Sequence, residues 1–121
     1  MSTVSARFDT PNAGKYLQQL CKHFAHKVPA EWTPEAGHVA FPFGACRLTA
    51  TNGILEMTCE AETEEALPRL VKVLAVHLER FAFREPPELI WLRDGKPDAA
   101  LMTALAAMPD PHKAAEAAPR S

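Results

Sequence analysis

The sequence is poor in cysteine: it has three, Cys21, Cys46 and Cys59, and no two of them form a C-x-x-C pair. An odd number of scattered thiols excludes a disulfide framework and a cysteine-only zinc site, and it suits a reducing cytosol. Basic runs are missing too. Thirteen lysines and arginines stand against fifteen acidic residues, a formal charge of −2. Without a cationic stripe to meet a phosphate backbone, nucleic acid is not expected as a partner. No apolar stretch is long enough to cross a bilayer, and residues 1–10 lack both the basic start and the apolar centre of a signal peptide. The expectation is a cytoplasmic protein without membrane contact. Phosphate-binding loops, nucleophile elbows and zinc-protease signatures are equally absent.

What the chain does have is a core. Its 121 residues, 47% of them hydrophobic, suit a single domain that folds without disulfide or metal staples. Loose alternation from Thr3 to Phe8 predicts a first strand. Thr10-Pro11 is a helix-start signal, and over residues 11–27 Ala13, Leu17, Leu20, Cys21 and Phe24 fall on one side of a helix. Turn formers then divide residues 28–60 into four short strands, 28–32, 38–41, 46–51 and 54–60. Asn52-Gly53 is the strongest hairpin signal among them, because both residues accept positive φ.

A second helix opens at Thr63-Glu64-Glu65 with an irregular first turn at Pro68, buries Leu67, Leu70, Val71, Leu74, Leu78 and Phe81, and ends at Pro86-Pro87. Residues 88–92 read as a last strand. The whole predicts an α+β two-layer sandwich, with an antiparallel meander sheet and two long helices packed on one face. Residues 1–95 make the domain, and residues 96–108 a short helical extension with Leu101, Met102, Leu105 and Met108 on one side. Residues 109–121 form a disordered tail.

Chemistry concentrates at the histidines. Gln19, His23 and His26 share one flank of the first helix, and Val73, His77, Arg80 and Arg84 share the corresponding flank of the second. Four intervening strands make the two helices antiparallel, so the matching flanks point either toward each other or both outward. If inward, His23 and His77 meet over a groove, with His26, Arg80 and Arg84 at its edge. These five residues are the candidate ligand-binding set, and His23, His26 and His77 the candidate ligands for a transition metal, since neutral imidazole suits such ions. The competing reading is structural: a solvated helix end beside Lys22 and Lys27, and a packed His77 ring donating one hydrogen bond. Cys46 and Cys59 read as buried rather than reactive. Trp32, Phe41 and Trp91 read as core more readily than as pocket lining. No nucleophile pairs with a base, so no catalytic residue is assigned and the reading leans away from an enzyme.

The residues Tyr16-Leu17, Leu20-Cys21-Lys22-His23-Phe24-Ala25-His26-Lys27, Phe41-Pro42-Phe43-Gly44 and His77-Leu78-Glu79-Arg80-Phe81-Ala82, followed by Arg84-Glu85, resemble the bacterial domain of unknown function 2218 family. The resemblance spans residues 4–91. Phe24 departs from it, the family having tryptophan there. It implies an association with siderophore-interacting flavoproteins and iron uptake, with a ferric chelate or such a flavoprotein as partner, and it makes His23, His26 and His77 the motif histidines. An aldolase name attached to some similar sequences belongs to a (β/α)₈ barrel of about 250 residues, which this chain is too short to build. The functional expectation is a small accessory or binding domain serving iron or ferric-siderophore metabolism. The alternative is a protein-interaction or homodimerising module whose histidines are purely structural.

Overall fold

The computed structural model describes residues 1–108. In chain order they form β1 (Ser2–Asp9), α1 (Ala13–Phe24), β2 (Ala30–Trp32), β3 (Ala36–Phe41), β4 (Gly44–Thr51), β5 (Ile54–Ala61), α2 (Leu67–Phe81), β6 (Leu92–Arg93), β7 (Lys96–Pro97) and α3 (Ala99–Ala107). The seven strands make one antiparallel sheet in the order β2-β3-β4-β5-β1-β6-β7. Alternation decides its faces. Val4, Ala6 and Phe8 of β1, Cys46, Leu48 and Ala50 of β4, and Leu55, Met57 and Cys59 of β5 point into the core, while Arg7, Arg47, Thr49 and Glu56 face solvent.

Helices α1 and α2 cover the apolar face, each through the stripe its sequence predicts. Leu17, Leu20 and Cys21 of α1 and Leu67, Leu70, Val71, Leu74 and Leu78 of α2 are fully buried. Each leucine so placed contributes roughly 1.5–3 kcal/mol relative to exposure. Because every hairpin reverses the chain, β2 runs parallel to β1 with β3, β4 and β5 between them, and α2 leaves β5 antiparallel to α1. The two helices pack against each other.

The α+β class and antiparallel sheet are as expected; several element boundaries are not, and the two long helices are joined by a third, α3, where a short helical extension was expected. A third helix belongs to the fold: Leu101 is buried, and the Lys72 ammonium on α2 donates to the Leu105 carbonyl of α3 at 2.9 Å. The apolar side of α3 is turned onto α2. Asp94-Gly95, with φ of 53° and 78°, is a second tight hairpin joining β6 to β7, so sheet pairing continues past residue 95. The strand expected over residues 88–92 pairs only from Leu92, after Pro86 and Pro87, which have no amide hydrogen to give a ladder. Helix α1 ends at Phe24, followed by turns to Lys27, and α2 ends at Phe81 rather than at Pro86. Residues 109–121, expected as a disordered tail, lie outside the described residues.

Two polar latches hold the layers together. After α2 the Glu85 carboxylate accepts from the Thr10 hydroxyl (2.8 Å), the Asn12 amide (2.7 Å) and the Tyr16 hydroxyl (2.6 Å), fastening the end of α2 to the β1–α1 corner. Those three bonds hold the Glu85 carboxyl below the usual carboxylate range. At the other end, Arg93 binds both oxygens of Glu64 (2.5 and 2.9 Å) and Asp98 (2.8 Å), and Asp98 caps α3 by accepting from the Leu101 amide (3.0 Å). The Ser2 hydroxyl adds a further bond to Glu64.

Candidate functional site

The flanks of α1 and α2 turn inward. The His23 and His77 rings lie with centroids 4.5 Å apart and planes tilted by 39°. Phe24 meets His77 edge-on at 5.1 Å and Phe41 at 5.2 Å, and Phe41 lies 5.9 Å from Phe43. On the other side of His23, the Phe81 ring stands at 6.0 Å. A continuous row of aromatic rings thus crosses from α2 through α1 to the β3–β4 turn, at separations typical of favourable edge-to-face pairs.

Beside this row lies a groove of about 610 Å³. Phe24, Val28, Phe41, Phe43 and Val73 give it an apolar floor and walls, and His23, His26, Lys27, Arg69 and His77 supply polar groups. No carboxylate lines it. The Arg69 guanidinium sits over the Phe43 ring, 5.6 Å from its centre. Local sequence explains the placement. Arg69, Val73 and His77 are spaced at i, i+4 and i+8 on α2, and the Pro42-Phe43-Gly44 turn brings two phenylalanines to the same end of the sheet. Gly44 is required there, since a Cβ would lie 2.5 Å from the Glu60 carbonyl oxygen and 2.9 Å from the Ala61 Cα.

The two central imidazoles differ. A ring nitrogen of His77, Nδ1, lies 2.6 Å from the Val73 carbonyl oxygen. A carbonyl only accepts, so Nδ1 carries the hydrogen, and in the neutral ring Nε2 keeps a free lone pair. His23 is more exposed. Partial desolvation, then the neighbouring His77, His26, Lys27 and Arg80, push its pKa below the ordinary histidine value, so near neutral pH it is mostly uncharged.

Of the five candidate residues, His23, His26 and His77 line the groove, and Arg80 is near enough to influence His23. Arg84 is not part of it: α2 stops at Phe81, so the flank ends before Arg84, which lies over the exposed Phe83 ring at 5.5 Å. The three-histidine metal centre is not assembled. Among the described residues no three His, Cys, Asp or Glu side chains gather closely enough to hold a metal ion. His26 lies in the turn after α1 ends and so leaves the helical flank it was expected to share with His23.

Sequence reasoning missed Lys27, Val28, Phe43 and Arg69 as lining residues. Carrying the α2 flank two turns back from His77 would have found Arg69. Trp91 is buried and Trp32 sits on the edge strand β2, so neither joins the groove, whereas Phe41 does.

The thiols are inert packing groups. All three are buried, and burial pushes Cys21 up to about 11. Cys46 and Cys59 face each other across β4 and β5 with sulfurs 3.5 Å apart, and their mutual hydrogen bond and burial hold the Cys59 thiol protonated.

A family model described as an uncharacterised protein conserved in bacteria (DUF2218) matches residues 5–92, which hold both imidazoles and the whole groove. The chain is also similar to the NMR structure of PA4090 from Pseudomonas aeruginosa. Identity is 32%, the match covers 79% of this chain and 99% of that one, and the TM-score is 0.66. No curated protein matches.

Proposed function

The chain belongs to the DUF2218 family of bacterial proteins, and we propose that it is a small binding domain whose ligand occupies the groove beside His23 and His77. The observation that carries this reading is the meeting of two imidazoles from different helices, 4.5 Å apart, at an apolar groove that holds no carboxylate. Packing alone does not call for such an arrangement.

The link to iron or ferric-siderophore metabolism, which the family resemblance implies, is part of the proposal. A ferric chelate presents anionic oxygens, and imidazole, ammonium and guanidinium N–H groups suit them. We place the domain in the cytoplasm, where three free thiols stay reduced. Among the described residues no helix is long and apolar enough to cross a membrane. Purified protein is incubated with ferric chelates and, separately, with iron, zinc and copper ions, and binding is followed by calorimetry and metal analysis. A ferric chelate is expected to bind wild type and to lose affinity in His23→Ala and His77→Ala variants that keep their circular dichroism. Failure of all of them to bind would overturn the iron reading.

A second reading, a module that pairs with another copy or with a flavoprotein, is favoured by the open edge of β2 and by Phe83 and Ile90, which are 68% and 56% exposed. Sedimentation of wild type and Phe83→Ser tests it. A dimer that dissociates in the variant supports it, and a monomer at all concentrations removes the self-association form.

A further inference from the structure

Resting on the groove as the ligand site, we propose that its occupant is a planar aromatic acid bound as the anion, ring against Phe24, Phe41 and Phe43, acid group toward His23, His77, Lys27 and Arg69. Two observations narrow the ligand this far. The first is sign: the side chains around the groove offer N–H donors and positive charge from both helices and the turn after α1, with no acidic group to oppose an anion. A neutral or cationic ligand would gain nothing from the charges of Lys27 and Arg69 at its edge. The second is shape. Phe41 and Phe43, half-buried with ring centres 5.9 Å apart and planes tilted by only 30°, present ring faces on which a flat π-system gains stacking that a flexible aliphatic chain does not, and the buried Phe24 stands edge-on behind Phe41 at 5.2 Å. Arg69 already covers one face of Phe43 and is placed to pair with a carboxylate carried by a ring bound there.

The same geometry couples binding to a proton. His23 is partly desolvated and faces His77 and Arg80 from α2 and His26 and Lys27 from the turn after α1, all basic, and in that order these effects favour its neutral form. An anion placed among these groups favours the charged form of His23, so binding draws a proton onto its ring. By linkage, affinity for a fully ionised acid falls as pH rises from the lowered pKa of the free His23 ring toward the higher pKa of the ring in the complex.

The test uses the full chain with benzoate, its neutral isostere benzamide and the non-aromatic cyclohexanecarboxylate, followed by NMR titration and by calorimetry in two buffers of different ionisation enthalpy. Benzoate is expected to bind about tenfold or more tighter than benzamide, a factor typical of a charge-assisted hydrogen bond, and several-fold tighter than cyclohexanecarboxylate. It is also expected to take up protons on binding and to lose most of its affinity in Arg69→Gln, a change at an exposed residue that spares the fold. Equal binding of benzamide and benzoate overturns the proposal. A groove that takes a ferric hydroxamate chelate but refuses benzoate overturns this ligand class while leaving the binding site in place, and a groove that takes neither overturns both.

Discussion

Gly44→Ala is the substitution whose cost can be worked most directly from the structure. The new Cβ would stand 2.5 Å from the Glu60 carbonyl oxygen, 2.9 Å from the Ala61 Cα and 3.0 Å from a Leu70 methyl. The leucine can rotate; the other two atoms belong to the backbone of β5, held by β1 on one side and β4 on the other. Relief therefore requires the start of β4 to lift off its neighbour. Overpacking of this kind costs about 1–3 kcal/mol, and backbone on the receiving side puts this case toward the upper end. With a urea slope of about 2 kcal/mol/M, the unfolding midpoint falls by about 1 M. Phe41 and Phe43 ride on the same turn, so the groove floor shifts with it, and ligand affinity falls even where the protein remains folded. Urea unfolding read by fluorescence of the buried Trp91 measures the first effect. A midpoint within about 0.2 M of wild type, about 0.4 kcal/mol and so below the usual cost of an overpacked site, would refute the close approach of β4 to β5.

Other expectations follow from the latches and thiols. Glu85 has a depressed carboxyl pKa in the folded state, so its bonds stabilise the fold above the unfolded carboxylate pKa of about 4.3 and are lost as pH falls through the lower folded value. Glu85→Gln should flatten stability against pH over that acid range, and an unchanged acid limb would contradict the latch. Asp98→Ala removes the α3 cap and one partner of Arg93; it should cost about 1 kcal/mol and speed amide exchange in α3 before the rest of the chain, as seen by hydrogen-exchange NMR. A thiol reagent should titrate Cys21, Cys46 and Cys59 only after denaturant is added, and a fast-reacting cysteine in the native protein would contradict their burial.

The central architecture was legible because patterning and topology point the same way. Leu17, Leu20 and Cys21 on α1 and Leu70, Leu74 and Leu78 on α2 follow helical spacing, Asn52-Gly53 specifies a hairpin, and an even number of strands between the helices forces them antiparallel. That last inference brought His23 toward His77. What the pattern could not supply was the choice between inward and outward flanks, which depends on how each helix is rotated on the sheet. Helix ends were the other weakness. Lys27 and His26 lie in turns that local propensity continues as helix, and Arg84 was carried onto a flank that α2 leaves at Phe81. Asp94-Gly95 carried the same turn chemistry as Asn52-Gly53 but lacked flanking strands of readable length, so the β6–β7 hairpin went unseen. Phe43 and Arg69 come together only through folding, and no periodicity links them.

The most direct measurement is NMR of the His23 and His77 ring signals in one sample titrated with benzoate and, in parallel, with a ferric chelate. A shared groove predicts that both rings respond to the bound ligand with the same midpoint, and that His77→Ala abolishes the response of His23. Ring signals that stay fixed while a ligand binds, or that move at unrelated concentrations, would contradict a common site between the two helices.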